Sequence, residues 1–462
     1  MLMKIIRSQK SSFQLMTKVN KFLFLCVLLL PMILYLLLVF KLAVNIPFQD
    51  DYDAILSYIN LSGAERLDLL FAQHNEHRIV FTKIISVLTH QILGEVDFRI
   101  LIFIGNASLV VILYVLYLLF KKLGVPVLYF LPVPYLLFSI RLWGNATWAM
   151  ASIGNYYVLL FSLLSLFFFN KNGIASLVLS MAFAVLASLT SGSGLFVFPI
   201  LLIWAIITFK NGKACDSSQV TASGNGSRNA TRLIATLMTF LLVGYLYFES
   251  YEKPAHHPSI VNAFLNPIAS ITYFFGFLGS CIPYKLPALL LGATSFISFC
   301  YLTYNKQYKK TPILYSFALL LIITAAVAAV TRSSFGVKQA LSSRYAIVSV
   351  QLLASIYLIF LGEKNLLARL NNKNFNSIFL LLFALCSYLF TVHIDIMTKK
   401  RNELMNGMVK WKARGSGLAH HNQKHANEII RKSISHGVYK LPPSLGVDET
   451  RPKAKTNKAD QK

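Results

Sequence analysis

The chain has 462 residues, of which 56% are hydrophobic and only 13% are charged, and its formal net charge is +26. A soluble globular protein has about 25% charged residues, so there is too little polar material here to cover a surface that faces water. The composition excludes a disordered protein, a secreted disulfide scaffold and an ordinary cytosolic enzyme. Positive charge distributed among apolar runs is typical of membrane topology, and nucleic-acid binding is not expected.

A basic segment precedes the first apolar run. Residues 1–21 carry five Lys or Arg side chains and no Asp or Glu, and we predict that they form a cytoplasmic N-terminus. The apolar run from Phe22 to Val44 is too long for the core of a signal peptide and lacks a small-residue cleavage site. We therefore predict an uncleaved first span, because about 20 apolar residues are enough to cross a bilayer.

Apolar runs recur along the chain and predict an all-α integral membrane protein. After the first run they cover residues 98–120, 125–140, 147–169, 174–190, 194–209, 231–248, 264–282, 286–304, 312–331, 345–362 and 376–396. Lys and Arg in short loops orient these runs, since cytoplasmic loops carry the positive charge. The pattern is most consistent if 264–282, which contains proline and glycine, is re-entrant and does not cross. We predict a polytopic bundle of about 11 transmembrane helices (range 10–12) within a membrane domain of residues 22–396.

A basic tail of residues 397–462 follows the last span, and its side of the membrane is ambiguous. Residues 396–462 carry 15 Lys or Arg against 5 Asp or Glu. Such charge next to a span favours the cytoplasm, although long segments translocate largely regardless of charge. Eleven spans after a cytoplasmic N-terminus place the tail outside, and this is our prediction.

Acidic residues concentrate in the loop between the first two spans, residues 45–97. The loop holds eight of the 18 Asp and Glu residues in the chain, and the charge pattern places it outside. Asp50 and Asp51 follow the first span directly, and Glu76 lies in the polar stretch 73–78. We predict catalytic roles for these three carboxylates, because a carboxylate near a hydroxyl can act as its general base.

The same stretch supplies candidate ligands for substrate. We predict that His74, His77 and Arg78 bind or orient it, and structural hydrogen bonding is the alternative for both histidines. No definite cofactor is assigned. If a metal ion is bound, Asp50 and Asp51 are its candidate ligands, and their hard oxygen atoms favour Mg²⁺ or Mn²⁺ over Zn²⁺.

An external span end carries a cationic and aromatic group of residues. Arg141, Asn145 and Trp148 lie within eight residues of one another. Trp148 fits an anchor at the membrane interface, whereas Arg141 and Asn145 are candidate residues of a substrate cleft.

A second cationic group lies on the external loop before the span at 345–362. It comprises Arg332, Lys338, Arg344 and the neighbouring Tyr345. Cations outside oppose the usual charge asymmetry, and a bound phosphate explains them, because arginine binds phosphate through two parallel hydrogen bonds. The serines at 342–343 are predicted to cap the following helix.

These pieces, in this order, resemble one known family. An acidic pair in the first external loop, a second acidic site in that loop and cations on later external loops resemble the polytopic C-type (GT-C) glycosyltransferases. The similarity extends to bacterial envelope glycosyltransferase-like proteins through residues 73–78, Trp148, residues 191–194, residues 343–345 and the tail from Trp411 to Pro443.

The resemblance implies a function, a location and roles for residues. The family transfers sugars from polyprenyl-phosphate donors, here to an envelope glycan or lipid acceptor at the periplasmic face of a bacterial inner membrane, in contact with membrane lipids. It implies that Asp50 and Asp51 occupy the catalytic or metal-binding position and Glu76 the second acidic site. Two alternatives remain: a glycan polymerase or ligase that uses an undecaprenyl-linked substrate, and a transporter or flippase, which would carry ionisable residues at mid-span.

Overall fold

The computed structural model describes residues 18–214, 223–254, 258–363 and 372–443. It is 78% helical, and these residues form no strands, which confirms the predicted all-α class. Most of the predicted cytoplasmic segment 1–21, part of the 210–232 loop and the last 19 residues of the tail lie outside the described residues.

Eighteen α-helices lie in the described part of the chain, and a π-helical segment, Tyr52–Ser57, follows Asp51. The helices are α1 (Lys18–Leu42), α2 (Gly63–Asp68), α3 (Val80–Leu93), α4 (Phe98–Lys121), α5 (Pro132–Leu137), α6 (Trp143–Ala146), α7 (Ala149–Phe169), α8 (Ile174–Ser188), α9 (Val197–Ala214), α10 (Ser223–Phe248), α11 (Val261–Leu265), α12 (Pro267–Leu278), α13 (Lys285–Tyr304), α14 (Pro312–Arg332), α15 (Val337–Ala340), α16 (Ala346–Leu361), α17 (Asn372–Arg414) and α18 (Gln423–Ser435).

The apolar helices are consistent with a helical membrane protein. Eight helical segments among the described residues are long and apolar enough to cross a membrane, compared with the predicted number of about 11. The predicted spans 174–190, 264–282 and 345–362 correspond to shorter helices of 15, 12 and 16 residues. Helices α1 and α10 lie at the periphery and expose large apolar side chains such as Phe40, whereas most of α7 is buried.

Local sequence signals account for the helices of the first loop. Ser62 and Glu65 form a capping box at the start of α2, so each side chain satisfies a free backbone N–H group. Helix α3 ends at Gly94, whose positive φ of 74° favours glycine. The Asp97 side chain then accepts a hydrogen bond from the backbone N–H of Arg99 and caps α4. The first loop therefore folds as short helices whose ends are defined by these capping residues.

Helix α12 packs against the loop at 333–341. The Ser270 hydroxyl donates to Ser333 Oγ at 3.0 Å, and the Tyr273 hydroxyl donates to Gln339 Oε1 at 2.9 Å. With 12 residues the helix is about 18 Å long, which is less than the hydrocarbon thickness of about 30 Å. Helix α12 is therefore shorter than a membrane span, and the re-entrant arrangement of 264–282 stays a prediction.

The tail continues the last apolar helix and folds back over the first loop. Helix α17 has 43 residues and is about 65 Å long. It continues without a break through residue 397, where we placed the start of the tail. Beyond it, the Gln49 N–H donates to the Ala419 carbonyl at 2.8 Å, and the Tyr439 hydroxyl donates to the Asn45 carbonyl at 2.7 Å. The tail therefore packs against the first loop.

Candidate active site

Two cavities adjoin each other at the face formed by residues 45–97, 143–155, 190–194 and 332–345, which we call the loop face. The polar cavity has a volume of about 200 Å³ and is lined by Asp50, His74 and Trp148 among others. The apolar cavity has a volume of about 630 Å³ and lies between helices, against Leu159 and Val327 among others. The residues that line both cavities are Glu76, His77, Asn155, Ser191, Arg332, Arg344 and Tyr345.

The Asp50 side chain lines the polar cavity, and a strained turn positions it there. The preceding Gln49 has a φ of 49°, which is uncommon for a residue other than glycine. Asn75, just before Glu76, also has a φ of 49°. Such backbone strain is often found at functional sites, and here it precedes both acids that line the cavity.

Asp51 is buried and lines neither cavity. Its Oδ1 accepts a hydrogen bond from the Met150 N–H at 2.9 Å, and its Oδ2 accepts one from the Phe48 N–H at 3.1 Å. Burial raises the pKa of the Asp51 carboxyl from 3.8 to about 7, although these hydrogen bonds act in the opposite direction. Asp51 therefore fastens the first loop to the start of α7 and does not line the site as a second acid beside Asp50.

The predicted Mg²⁺ or Mn²⁺ site does not fit these side chains. Both Asp51 oxygen atoms are occupied by backbone N–H groups. Within the four described segments, no group of three or more His, Cys, Asp or Glu side chains is arranged to hold a metal ion. Asp50 by itself is too few ligands, since Mg²⁺ sites combine oxygen ligands with octahedral geometry.

Glu76, Arg332 and His77 form a linked group where the cavities meet. Glu76 forms an ion pair with Arg332, and Arg332 Nη1 donates to the Tyr345 hydroxyl at 2.7 Å. His77 Nε2 lies 3.5 Å from Glu76 Oε1, while His77 Nδ1 accepts a hydrogen bond from the Gly192 N–H at 3.2 Å. The positive charge of Arg332 is thus balanced within the protein.

Arg344 supplies a second cation at the same junction and stacks on aromatic rings. Its guanidinium lies 5.3 Å from the ring centre of Trp148 and 5.9 Å from that of Tyr345. Its backbone carbonyl accepts a hydrogen bond from Asn145 Nδ2 at 2.9 Å, and Asn145 Oδ1 in turn accepts one from Asn155. Asn145 therefore positions the segment that carries Arg344. Trp148 is buried in this group, unlike the interface anchor that the sequence suggested.

Three predicted substrate ligands lie outside both cavities. Arg78 is buried and donates to the backbone carbonyls of residues 71, 247 and 249. Arg141 is also buried and donates to the backbone carbonyls of residues 280 and 341. Lys338 is exposed and lines neither cavity. The two arginines therefore hold loops and helices together.

Helix α16 begins without a side-chain cap, so the predicted capping by the serines at 342–343 is wrong.

One residue of the tail that was not predicted from the sequence, Lys400, contacts the first loop. Lys400 on α17 donates to Thr147 Oγ1 at 3.3 Å and lies over the ring of Phe48 at 4.2 Å. Burial lowers its pKa from 10.5 to about 8. A sequence signal exists for this contact, because Met397, Leu404, Met408 and Trp411 are buried at helical spacing and Lys400 lies on the same stripe.

A histidine pair ties the folded tail to the first loop. His420 Nε2 lies 3.1 Å from Asp53 Oδ2, and His425 Nε2 lies 2.6 Å from Asp53 Oδ1. His420 is buried by this contact. The spacing of the two histidines gives no signal of this contact, since Asp53 is more than 360 residues away.

None of the protein-family models, curated proteins or solved structures compared with the chain matches it. The function therefore has to be argued from the geometry of the site. That geometry combines a polar cavity lined by Asp50, the Arg344 cation at the junction and an apolar cavity between helices. Together they can bind a molecule with a polar end, an anionic centre and an apolar chain.

Proposed function

We propose that the protein is a membrane glycosyltransferase that moves one sugar from a polyprenyl-phosphate donor to a hydroxyl group of an envelope glycan or lipid. The reaction would take place at the extracytoplasmic face of a bacterial inner membrane. The observation that supports this proposal is that two unlike cavities meet at one set of residues. A polyprenyl-phosphate sugar has an apolar chain, an anionic phosphate and a polar sugar in the same order as the apolar cavity, Arg344 and the polar cavity.

Asp50 is the proposed general base. The acceptor hydroxyl gives its proton to the Asp50 carboxylate while its oxygen bonds to the anomeric carbon of the donor sugar. The bond between that carbon and the phosphate oxygen breaks, and its electron pair leaves with the polyprenyl phosphate. Asp50 then releases the proton to water. No step is assigned to a divalent cation, because the described side chains offer no ligand set for one.

Arg344 is the proposed electrostatic partner of the leaving phosphate. Negative charge on the phosphate grows as the bond to the sugar breaks, and a preorganised cation there lowers the barrier. Arg332 lines the same junction, but its ion pair with Glu76 offsets its charge. Glu76 and His77 are therefore positioning residues in this proposal, because they hold Arg332 and the Gly192 turn in place.

An Asp50→Asn variant tests the proposal with little change in shape. Membranes that contain the full-length protein are incubated with a radiolabelled polyprenyl-phosphate sugar and an envelope glycan acceptor. We expect single-sugar transfer by the wild type and a loss of about 10²- to 10⁴-fold in Asp50→Asn, which is the usual contribution of a general base. Asp68→Asn is the matched control, because Asp68 is exposed on α2 and lines neither cavity.

The products also separate the alternatives. Growth of a polymer would indicate the polymerase or ligase, and movement of intact donor across the membrane without cleavage would indicate the flippase. Near-normal transfer by Asp50→Asn would exclude Asp50 as the base.

A further inference from the structure

Three side chains in the wall of the polar cavity have polar atoms without partners. Trp148 Nε1, Thr82 Oγ1 and His74 Nε2 are buried and form no hydrogen bond with any described residue. Trp148 is 6% exposed and Thr82 is 0% exposed. A buried polar group without a partner destabilises the folded protein, so natural proteins rarely keep one without a reason. Three of them around one small cavity point to a ligand that supplies the hydrogen bonds.

The chemistry of the three atoms restricts the kind of ligand. The indole N–H of Trp148 only donates, whereas the Thr82 hydroxyl donates and accepts. Burial lowers the pKa of His74, so its imidazole is neutral at neutral pH and Nε2 is either donor or acceptor. A ligand with several hydroxyl groups matches this mixed set, because each hydroxyl both donates and accepts.

The volume of the cavity restricts the size of the ligand. About 200 Å³ corresponds to about seven water molecules at about 30 Å³ each, which is close to the space that one sugar ring occupies. A second sugar ring would exceed this volume.

We propose that the polar cavity binds the transferred sugar, that Thr82 and Trp148 are specificity-determining residues for it, and that it accepts a monosaccharide but not a disaccharide. This inference rests on the proposed function and deepens it, since it names residues that select the transferred sugar.

Binding measurements on the purified full-length protein in detergent test the inference. The probes are farnesyl phosphate without a sugar, farnesyl phosphate carrying glucose, galactose or mannose, and farnesyl phosphate carrying a disaccharide of the preferred hexose. The contribution of the sugar to binding is the affinity of the probe that carries the sugar divided by the affinity of farnesyl phosphate alone. We expect Thr82→Val and Trp148→Phe, which remove one polar group each with little change in shape, to reduce this ratio about five- to tenfold for the preferred hexose.

Two matched variants and one rescue variant serve as controls. Thr89→Val makes the same change on the same helix, where the Thr89 hydroxyl already donates to the Ile85 carbonyl and lines neither cavity. Trp143→Phe also removes an indole N–H without a partner, but away from both cavities. Both should leave the ratio unchanged, and Thr82→Ser, which keeps a hydroxyl, should retain most of it. The thermal midpoint of Thr82→Val should not fall, because the variant removes an unpaired hydroxyl.

The probes separate failure of the inference from failure of the proposed function. An unchanged ratio in Thr82→Val and Trp148→Phe, or a disaccharide probe that binds as tightly as the monosaccharide probe, would overturn the inference while farnesyl phosphate still binds. If the wild type does not bind farnesyl phosphate, the proposed function fails. The inference is then decided with octyl hexosides, which carry no phosphate: binding that depends on Thr82 and Trp148 supports it, and absence of such binding overturns it.

Discussion

The polar and apolar cavities differ in the elements that form their walls. Loop segments at 50, 74–79 and 190–191 form much of the polar cavity, whereas helices α7, α14 and α16 bring apolar side chains such as Leu159, Val327 and Val348 to the apolar cavity. Apolar walls depend on volume and tolerate exchange of one aliphatic side chain for another. Polar walls depend on single atoms, because a missing hydrogen bond leaves its partner unsatisfied. Substitutions should therefore have sharper effects in the polar cavity and at the junction than between the helices.

The largest effect in this comparison is expected at the junction. Arg344→Gln should reduce transfer about 10²- to 10³-fold, because loss of one preorganised donor to a developing anion costs about 2.7–4 kcal/mol. Arg344→Lys should recover only part of the rate, since lysine lacks the planar fork. Lys338→Gln is the control: Lys338 is exposed and lines neither cavity. Equal losses in Arg344→Gln and Lys338→Gln, measured as kcat/KM, would contradict the assignment of phosphate binding to Arg344.

A substitution in the apolar cavity tests its proposed role in binding the lipid chain. Ala328→Phe on α14 places a ring in the cavity and should weaken binding of farnesyl phosphate about tenfold, because each CH₂ group that can no longer be buried costs about 0.8 kcal/mol. It should leave binding of octyl hexosides almost unchanged. Ala326→Phe places the same ring on an exposed position of α14 outside the cavity. Equal affinity for farnesyl phosphate in all three proteins would show that the chain binds elsewhere.

The smallest effect is expected from Asp51, which supports the polar cavity without lining it. Because its pKa is raised to about 7 in the folded protein, the native state keeps a proton that the unfolded chain releases above pH 4. Its contribution to stability is therefore present at low pH and is lost as the pH rises to about 7. The slope is at most about 1.4 kcal/mol per pH unit.

Thermal unfolding from pH 4 to pH 7 measures this contribution. Asp51→Asn should lower the midpoint at every pH, because an amide cannot accept both backbone N–H bonds. It should also remove part of the pH dependence that the wild type shows. Identical pH profiles for the two proteins would mean that Asp51 is ionised in the folded state.

Much of the helical architecture follows from local sequence. Hydropathy predicts the apolar segments because the transfer free energy of a side chain is a property of that side chain. The proline and glycine residues of 264–282 also predict the short helix α12. The extension of α17 beyond residue 397 was not predicted, although the apolar stripe from Met397 to Trp411 carries its signal. The abundance of basic residues there concealed a helix that packs against the protein.

The site was predicted less completely than the helices. Asp50, Glu76 and Arg344 line the cavities. The sequence singled out the two acids because acids concentrate in the first loop, and Arg344 because cations are unusual on an external loop. Arg78 and Arg141, which were predicted to bind substrate, instead donate to backbone carbonyls. Arg78 bonds to residues 71, 247 and 249, and Arg141 bonds to residues 280 and 341. Residue type and spacing cannot identify such partners, since any carbonyl can accept a hydrogen bond.

The sequence by itself determined that the chain is helical, that its apolar helices have the character of membrane spans and that acids gather in one loop. Each of these properties depends on residues that are close together in the chain. The tertiary structure decided which of two adjacent acids faces a cavity: Asp50 lines the polar cavity, whereas Asp51 accepts a hydrogen bond from the Met150 N–H. Neighbouring side chains point in different directions, and the contacts that bury one of them come from residues about 100 positions away.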